Sequence, residues 1–304
     1  MLIVRHCYRD IFCSLPAGED ISLAEMECHY SVNYQEKEED LLCAITEGNL
    51  EKVRQLLTSG MGINTVLHSK TSQQSATVLS TAAYEGHIHI MRYLITCNAL
   101  VNYQDPLLSR TSLHWACMGG HVEAVRLLLQ YSSTDVNCQD RDNVTPIIHS
   151  AICGSNQVVQ LLIEHGANVS SCDRLHSSPL HYSTFHGRSA VTSTLIKSGC
   201  IANDPTIFGQ GTPLANLVYH GDVSNCCLLL ASGYSMGRDQ WVLDYNHDTE
   251  IGNMLRNHYL NPASLSRLCR KTIRRLIGSV HLEKKIYTLP LPRKIIEFLT
   301  LDIL

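Results

Sequence analysis

Paired thiols are missing from this chain: its thirteen cysteines are odd in number, and none stands in a C-x-x-C spacing. Neither a disulfide framework nor a redox dithiol is expected, and reduced thiols in the cytoplasm or nucleus are the better reading. Long apolar runs are missing too. The start, MLIVRHCYRD, has four apolar residues before Arg5, far short of a secretory core or of the ~20 residues that span a bilayer, so no membrane partner is expected. No G-x-S-x-G occurs, and Gly209-Gln210-Gly211 is followed by no G-K-[ST], which argues against a nucleophile elbow and a phosphate loop. Among sixteen histidines, His114-x-x-Cys117 makes a pair at helical ligand spacing, and a zinc site wants four ligands. No metal, no cofactor and no enzyme chemistry are expected.

What is present is periodic. Gly48, Gly86, Gly120, Gly154, Gly187 and Gly221 lie 38, 34, 34, 33 and 34 residues apart. Seven residues before each stands an aliphatic residue (Leu41, Leu79, Leu113, Ile147, Leu180, Leu214), and eight after each stands a leucine (Leu56, Leu94, Leu128, Leu162, Leu195, Leu229). Each copy reads as helix, turn, helix and an extended link. Cys43, Cys117 and Cys153 fall on first helices and Cys226 and Cys227 on a second helix, in frame with the repeat, and are expected as small core residues. Gly166, Gly199 and Gly233 are placed to end three of the second helices by a left-handed stop.

The last forty-one residues break the period and hold two other patterns, SLSRLCRKTIRRLIG and LPLPRKIIEFLTL. Ser264 can cap a helix on which Leu265, Leu268, Cys269, Ile273 and Leu276 share one stripe, with Arg267, Arg270, Lys271, Arg274 and Arg275 opposite as a solvated face. The basic face has no interleaved aromatics, so nucleic acid is not expected as a partner. Leu289-Pro290-Leu291-Pro292 is an extended run whose last proline suits the first turn of a closing helix with Ile295, Phe298 and Leu299. Charge follows the same boundary. From Ser264 on, nine basic residues face three acidic ones, a balance of +6 in a chain whose net charge is −4, so the remainder is near −10.

The repeats resemble ankyrin repeats, whose signature T-P-L-H-x-A is carried best by Thr111-Ser112-Leu113-His114-Trp115-Ala116, Ser178-Pro179-Leu180-His181 and Thr212-Pro213-Leu214. The tail resembles a SOCS box. By that resemblance the elongin C contacts are Leu265, Leu268, Cys269 and Ile273, and the contacts with a cullin of the cullin-5 type are Leu289, Pro290, Leu291, Pro292 and Ile295. Ile295 and Phe298 stand where leucine and tyrosine are usual.

Array and tail together resemble the ankyrin repeat and SOCS box proteins. The resemblance implies an all-α chain: an ankyrin-repeat solenoid of about six repeats plus a degenerate unit, followed by a helical SOCS box. The expected divisions are a leader or flexible arm over 1–38, the array over 39–236, a degenerate repeat or connector over 237–262 and the box over 263–304. It also implies a substrate-recognition adaptor of a cullin-RING ubiquitin ligase, with elongin B/C, cullin-5 with its RING partner and an unidentified protein substrate as partners. The alternative is an ankyrin scaffold without ligase activity.

Two residues before each mid-repeat glycine the chain reads Thr46, Tyr84, Met118, Ile152, Phe185 and Tyr219, a position that ankyrin geometry puts on the concave side. The last five are the substrate-binding candidates. Two readings stand open for them: an exposed ladder that binds a partner, or side chains folded down between neighbouring first helices.

Overall fold

Threonine or serine ahead of proline is a good opening for a short helix, because the hydroxyl accepts from the first free N–H groups and proline has no N–H to lose there. The computed structural model describes residues 23–68, 75–131, 133–200 and 211–234, residue 239, and towards the C-terminus 252–253, 255, 273–274, 277, 282–288 and 293–300. In it Thr77 Oγ1 accepts from Ser80 N at 3.1 Å and Thr212 Oγ1 from Ala215 N at 3.2 Å. Pro146, Pro179 and Pro213 occupy the first turns of their helices.

The helices follow in pairs: α1 (Leu23–Thr46) with α2 (Leu50–Thr58), α3 (Val78–Glu85) with α4 (Ile88–Thr96), α5 (Ser112–Gly119) with α6 (Val122–Leu129), α7 (Pro146–Cys153) with α8 (Asn156–Glu164), α9 (Pro179–Phe185) with α10 (Ser189–Lys197), and α11 (Pro213–Tyr219) with α12 (Val223–Ala231). First helices pack on first helices and second on second, which makes a solenoid. α1 is one continuous helix from Leu23, so the boundary drawn at residue 38 falls inside it. The link into α3 is a short antiparallel pair, β1 (Val66–His68) and β2 (Ser75–Thr77), with Val66 opposite Thr77 and His68 opposite Ser75.

The frame seen in the sequence is the frame of the core. Leu41, Leu79, Leu113, Ile147, Leu180 and Leu214 are all buried, as are Leu94, Leu128, Leu162, Leu195 and Leu229. Leu56, in the first copy, is only half-buried, as befits a terminal repeat with one neighbour. At Gly86 the mid-repeat glycine is required by close approach as well as by backbone shape. Gly86 has φ +76°, and a Cβ there would stand 2.5 Å from the His121 ring of the next repeat. Gly166, Gly199 and Gly233 close their helices at φ +88°, +92° and +98°.

The links are built on buried aspartates. Asp105 accepts from the N–H groups of Leu107, Leu108 and Arg110, Asp140 from those of Asp142 and Val144, and Asp173 from those of Leu175 and Ser177. Successive links are then joined by Arg141 N to Leu108 O at 2.8 Å and Arg174 N to Asp142 O at 3.0 Å. The connector keeps this register at its start. Thr111 meets Cys138, Thr145 meets Ser171 at 2.9 Å, and Thr212 in the same way donates to Asp239 at 2.5 Å. Leu255 is fully buried in the array's core; Trp241 and most of the connector lie outside the described residues.

The expectation for cysteine needs correction. Cys117 and Cys226 are fully buried, but Cys43 is exposed and Cys153 and Cys227 are half-buried. Cys43 lies on α1, where its thiol meets the Glu47 carboxylate at 3.2 Å.

Candidate docking surfaces

The ladder residues sit in the last turns of the first helices, and the backbone beneath them is tied to the next repeat. Thr46 O accepts from His87 Nε2 at 3.2 Å, Ile152 O from Arg188 Nε at 3.3 Å, and Phe185 O from His220 Nε2 at 3.1 Å. A carbonyl only accepts, so each histidine carries its proton on Nε2. Two of these ties use the residue after a mid-repeat glycine, His87 and Arg188, and the third uses His220, the residue before Gly221. The position after the glycine was legible as histidine-bearing at His87 and His121. Its bond was not.

With the backbone held, the side chains are free to face outwards. Tyr84 is 41% exposed, Phe185 45% and Tyr219 85%, while Met118 and Ile152 are half-buried. The three aromatics are thus surface residues, and the two aliphatic ones between them are partly covered. Tyr84 rests edge-on against Trp115, ring centroids 5.9 Å apart, and Arg110 lies over the same indole at 5.5 Å. Phe185 and Tyr219 each stand edge-on to the following histidine, His186 and His220, at 5.2 and 5.3 Å.

Behind Tyr84 is a buried polar stitch that sequence reasoning missed. Arg110 Nε donates to Asp140 Oδ2 at 3.1 Å, and His149 Nε2 lies 3.7 Å from the same oxygen, an electrostatic contact longer than a hydrogen bond. Burial alone would raise the Asp140 carboxyl. The His149 ring, the N–H of Val144, the Arg110 guanidinium and the N–H of Asp142 outweigh it and hold the group well below the usual carboxylate range. His114 accepts from Thr111 N at 3.1 Å through Nδ1 and donates from Nε2 to Val144 O, also at 3.1 Å. Burial, then the neighbouring His149, push His114 down to about 4, so it bridges the two repeats as a neutral ring. The signal was present as an aspartate ahead of each helix-opening threonine or serine, at Asp105, Asp140 and Asp173.

His114 and Cys117 lie within one turn of α5. His114 has both ring nitrogens engaged, burial pushes the Cys117 thiol up to about 12, and among the described residues no group of histidine, cysteine and carboxylates stands ready to hold an ion.

In the tail, α13 (Leu282–Thr288) and α14 (Arg293–Thr300) flank the Leu289–Pro292 run. Leu282, Ile286 and Leu299 form a small core, with Ile273, Ile277 and Ile296 packed against it. Ile273, expected on the elongin stripe, therefore gives part of its surface to the box's own interior. Leu265, Leu268, Cys269 and Leu289, Pro290, Leu291 and Pro292 lie outside the described residues; Ile295 is placed in α14, and of its side chain nothing is described. The solvated reading of the basic face fails at Arg274, the member of that face among the described residues. Arg274 is buried, and its guanidinium bonds Leu299 O at 3.0 Å, Ile196 O at 2.9 Å and Lys197 O at 3.0 Å. An amphipathic pattern tells polar from apolar and cannot tell that helix-terminal carbonyls of a distant repeat supply the polar partners.

Comparison with known proteins agrees with this geometry. The ankyrin repeat profile matches three times, over residues 41–140, 79–173 and 113–207, and the SOCS box profile matches residues 261–300. Similar proteins include ankyrin repeat protein nuc-2 of Neurospora crassa, 28% identical over 158 residues (52% of this chain and 14% of that protein). Inversin of Canis lupus familiaris is 36% identical over 156 residues, 51% of this chain and 14% of its own length. The E3 ubiquitin-protein ligase KEG of Arabidopsis thaliana is 34% identical over 123 residues, 40% and 7% of the two chains. The chain thus spans a seventh or less of the length of these relatives, and the likeness covers the array. Both matched modules are non-catalytic binding elements. With the ankyrin profile covering more than half of the chain and the SOCS box profile its tail, the chain belongs to the ankyrin repeat family, as one of the ankyrin repeat and SOCS box proteins.

Proposed function

We propose that this protein is the substrate receptor of a cullin-RING ubiquitin ligase of the cullin-5 type, acting in the cytoplasm or nucleus. The observation that carries the reading is the SOCS box match at residues 261–300 directly behind an ankyrin array in one chain. The array holds the target, with Tyr84, Phe185 and Tyr219 as exposed anchors and Met118 and Ile152 between them. Leu265, Leu268, Cys269 and Ile273 dock elongin C, and the Leu289-Pro290-Leu291-Pro292 run with Ile295 meets the cullin.

No bond is made or broken by this chain. Its contribution is proximity: a bound target and a bound ligase share one scaffold, so the attack of a target lysine on the ubiquitin thioester becomes effectively intramolecular. A proline-rich run already extended before binding loses less entropy on docking than a free segment would.

Co-expression with elongin B/C tests this. The chain is expected to co-purify with the pair and then to bind cullin-5. Leu265→Ala with Cys269→Phe is expected to abolish capture of elongin B/C, while alanines at 289–292 spare elongin and weaken cullin recovery. Failure of the unaltered chain to capture elongin B/C would leave a plain ankyrin scaffold as the better account.

A further inference from the structure

Arg274 bonds two carbonyls that lie 78 and 77 residues before it in the chain. Only 3% of it is exposed. One side of its guanidinium holds Ile196 O and Lys197 O, at the C-terminal end of α10 in the fifth repeat; the other holds Leu299 O, near the C-terminal end of α14 in the box. The last carbonyls of a helix have no partner within it and form the negative end of its dipole, so both ends favour a cation. A planar guanidinium with five fixed donors can serve both at once, which a lysine ammonium cannot do with the same geometry.

We propose that Arg274 is a positioning residue that sets the orientation of the SOCS box relative to the array by clasping the C-terminal ends of α10 and α14. α10 is the second helix of the repeat whose first helix ends in Phe185. The clasp therefore couples the box to the very repeat that carries one of the exposed aromatics. It consists of three oriented hydrogen bonds shielded from water, so it resists rotation of the box as well as separation. Its functional consequence rests on the receptor reading: a fixed angle between array and box restricts which lysines of a bound target face the ligase, and a loosened one lets more of them react, each more slowly.

The test uses the full chain with dyes at Glu51, an exposed position on α2, and Tyr287, an exposed position on α13, read by single-molecule energy transfer with and without elongin B/C. The unaltered chain is expected to give one narrow distance distribution. Arg274→Ala is expected to widen it at least twofold and Arg274→Lys to widen it less, with array melting unchanged and elongin B/C capture within twofold of the unaltered chain. Distributions as narrow as the original in both variants would overturn the clasp. Loss of elongin B/C capture by both variants would make Arg274 a folding residue of the box and overturn its positioning role. If instead the unaltered chain fails to capture elongin B/C, the receptor reading falls while the energy-transfer result still decides the clasp.

Discussion

Along the array the repeats share a leucine frame in the core, aspartates fold three of the links, and at three junctions a ring or guanidinium reaches back to the preceding helix end. In the box the fully buried apolar side chains among the described residues are Leu282, Ile286 and Leu299, and the buried Arg274 bonds two carbonyls of the array. The array thus distributes its stability over many equivalent interfaces, whereas the box combines a small core with contacts borrowed from elsewhere. A defect in the first should spread along the stack, and a defect in the second should stay local.

The sharpest break of that contrast is Asp140→Ala, which removes a buried carboxylate and strips the half-buried Arg110 and the N–H groups of Asp142 and Val144 of their acceptor. Losing one partner of a buried ion pair costs about 3–5 kcal/mol. Chemical denaturation should show that loss in the array, and below its melting range elongin B/C capture should stay as it was.

Acid comes next. His114 stands at about 4 in the folded chain against an ordinary 6.5, so between those values the unfolded chain binds the extra proton. Stability is therefore complete above about pH 6.5 and declines as pH falls towards 4, by on the order of 3 kcal/mol. His149, lowered first by its burial, acts in the same direction. Melts at pH 7 and pH 4.5 should differ in this sense, and His114→Gln should flatten the dependence.

Leu299→Ala removes one of the three fully buried apolar side chains described in the box. Truncating a buried leucine costs about 2 kcal/mol or more. Elongin B/C affinity is expected to fall while the array's hydrogen-exchange protection persists.

The smallest effect on stability belongs to the ladder. Phe185→Ser together with Tyr219→Ser alters side chains 45% and 85% exposed, and surface changes of that kind stay within about 0.5 kcal/mol. Target capture from cells with degradation blocked should nevertheless drop roughly tenfold or more, as loss of aromatic anchors does. A large fall in melting temperature would place these rings in the core after all.

How much was legible varies with how local the cause is. The glycine and leucine frame could be read because helix stops and core positions recur every 33 or 34 residues in the same surroundings. The ladder's position could be read too, but its exposure could not, since nothing along the chain says whether Tyr84 lies on Trp115 or beneath it. Asp140 was in frame with Asp105 and Asp173, yet its bond to Arg110 depends on how two links stack.

By itself, then, the sequence determined the helix pairs, their repeat and the two modules, because capping, left-handed stops and apolar spacing act over a few residues and recur in each copy. The tertiary structure alone decided which side chains remain exposed and where Arg274 points. Those depend on groups far apart in the chain: a guanidinium drawn as solvated on a helical wheel is buried because the carbonyls of Ile196 and Lys197 meet it there.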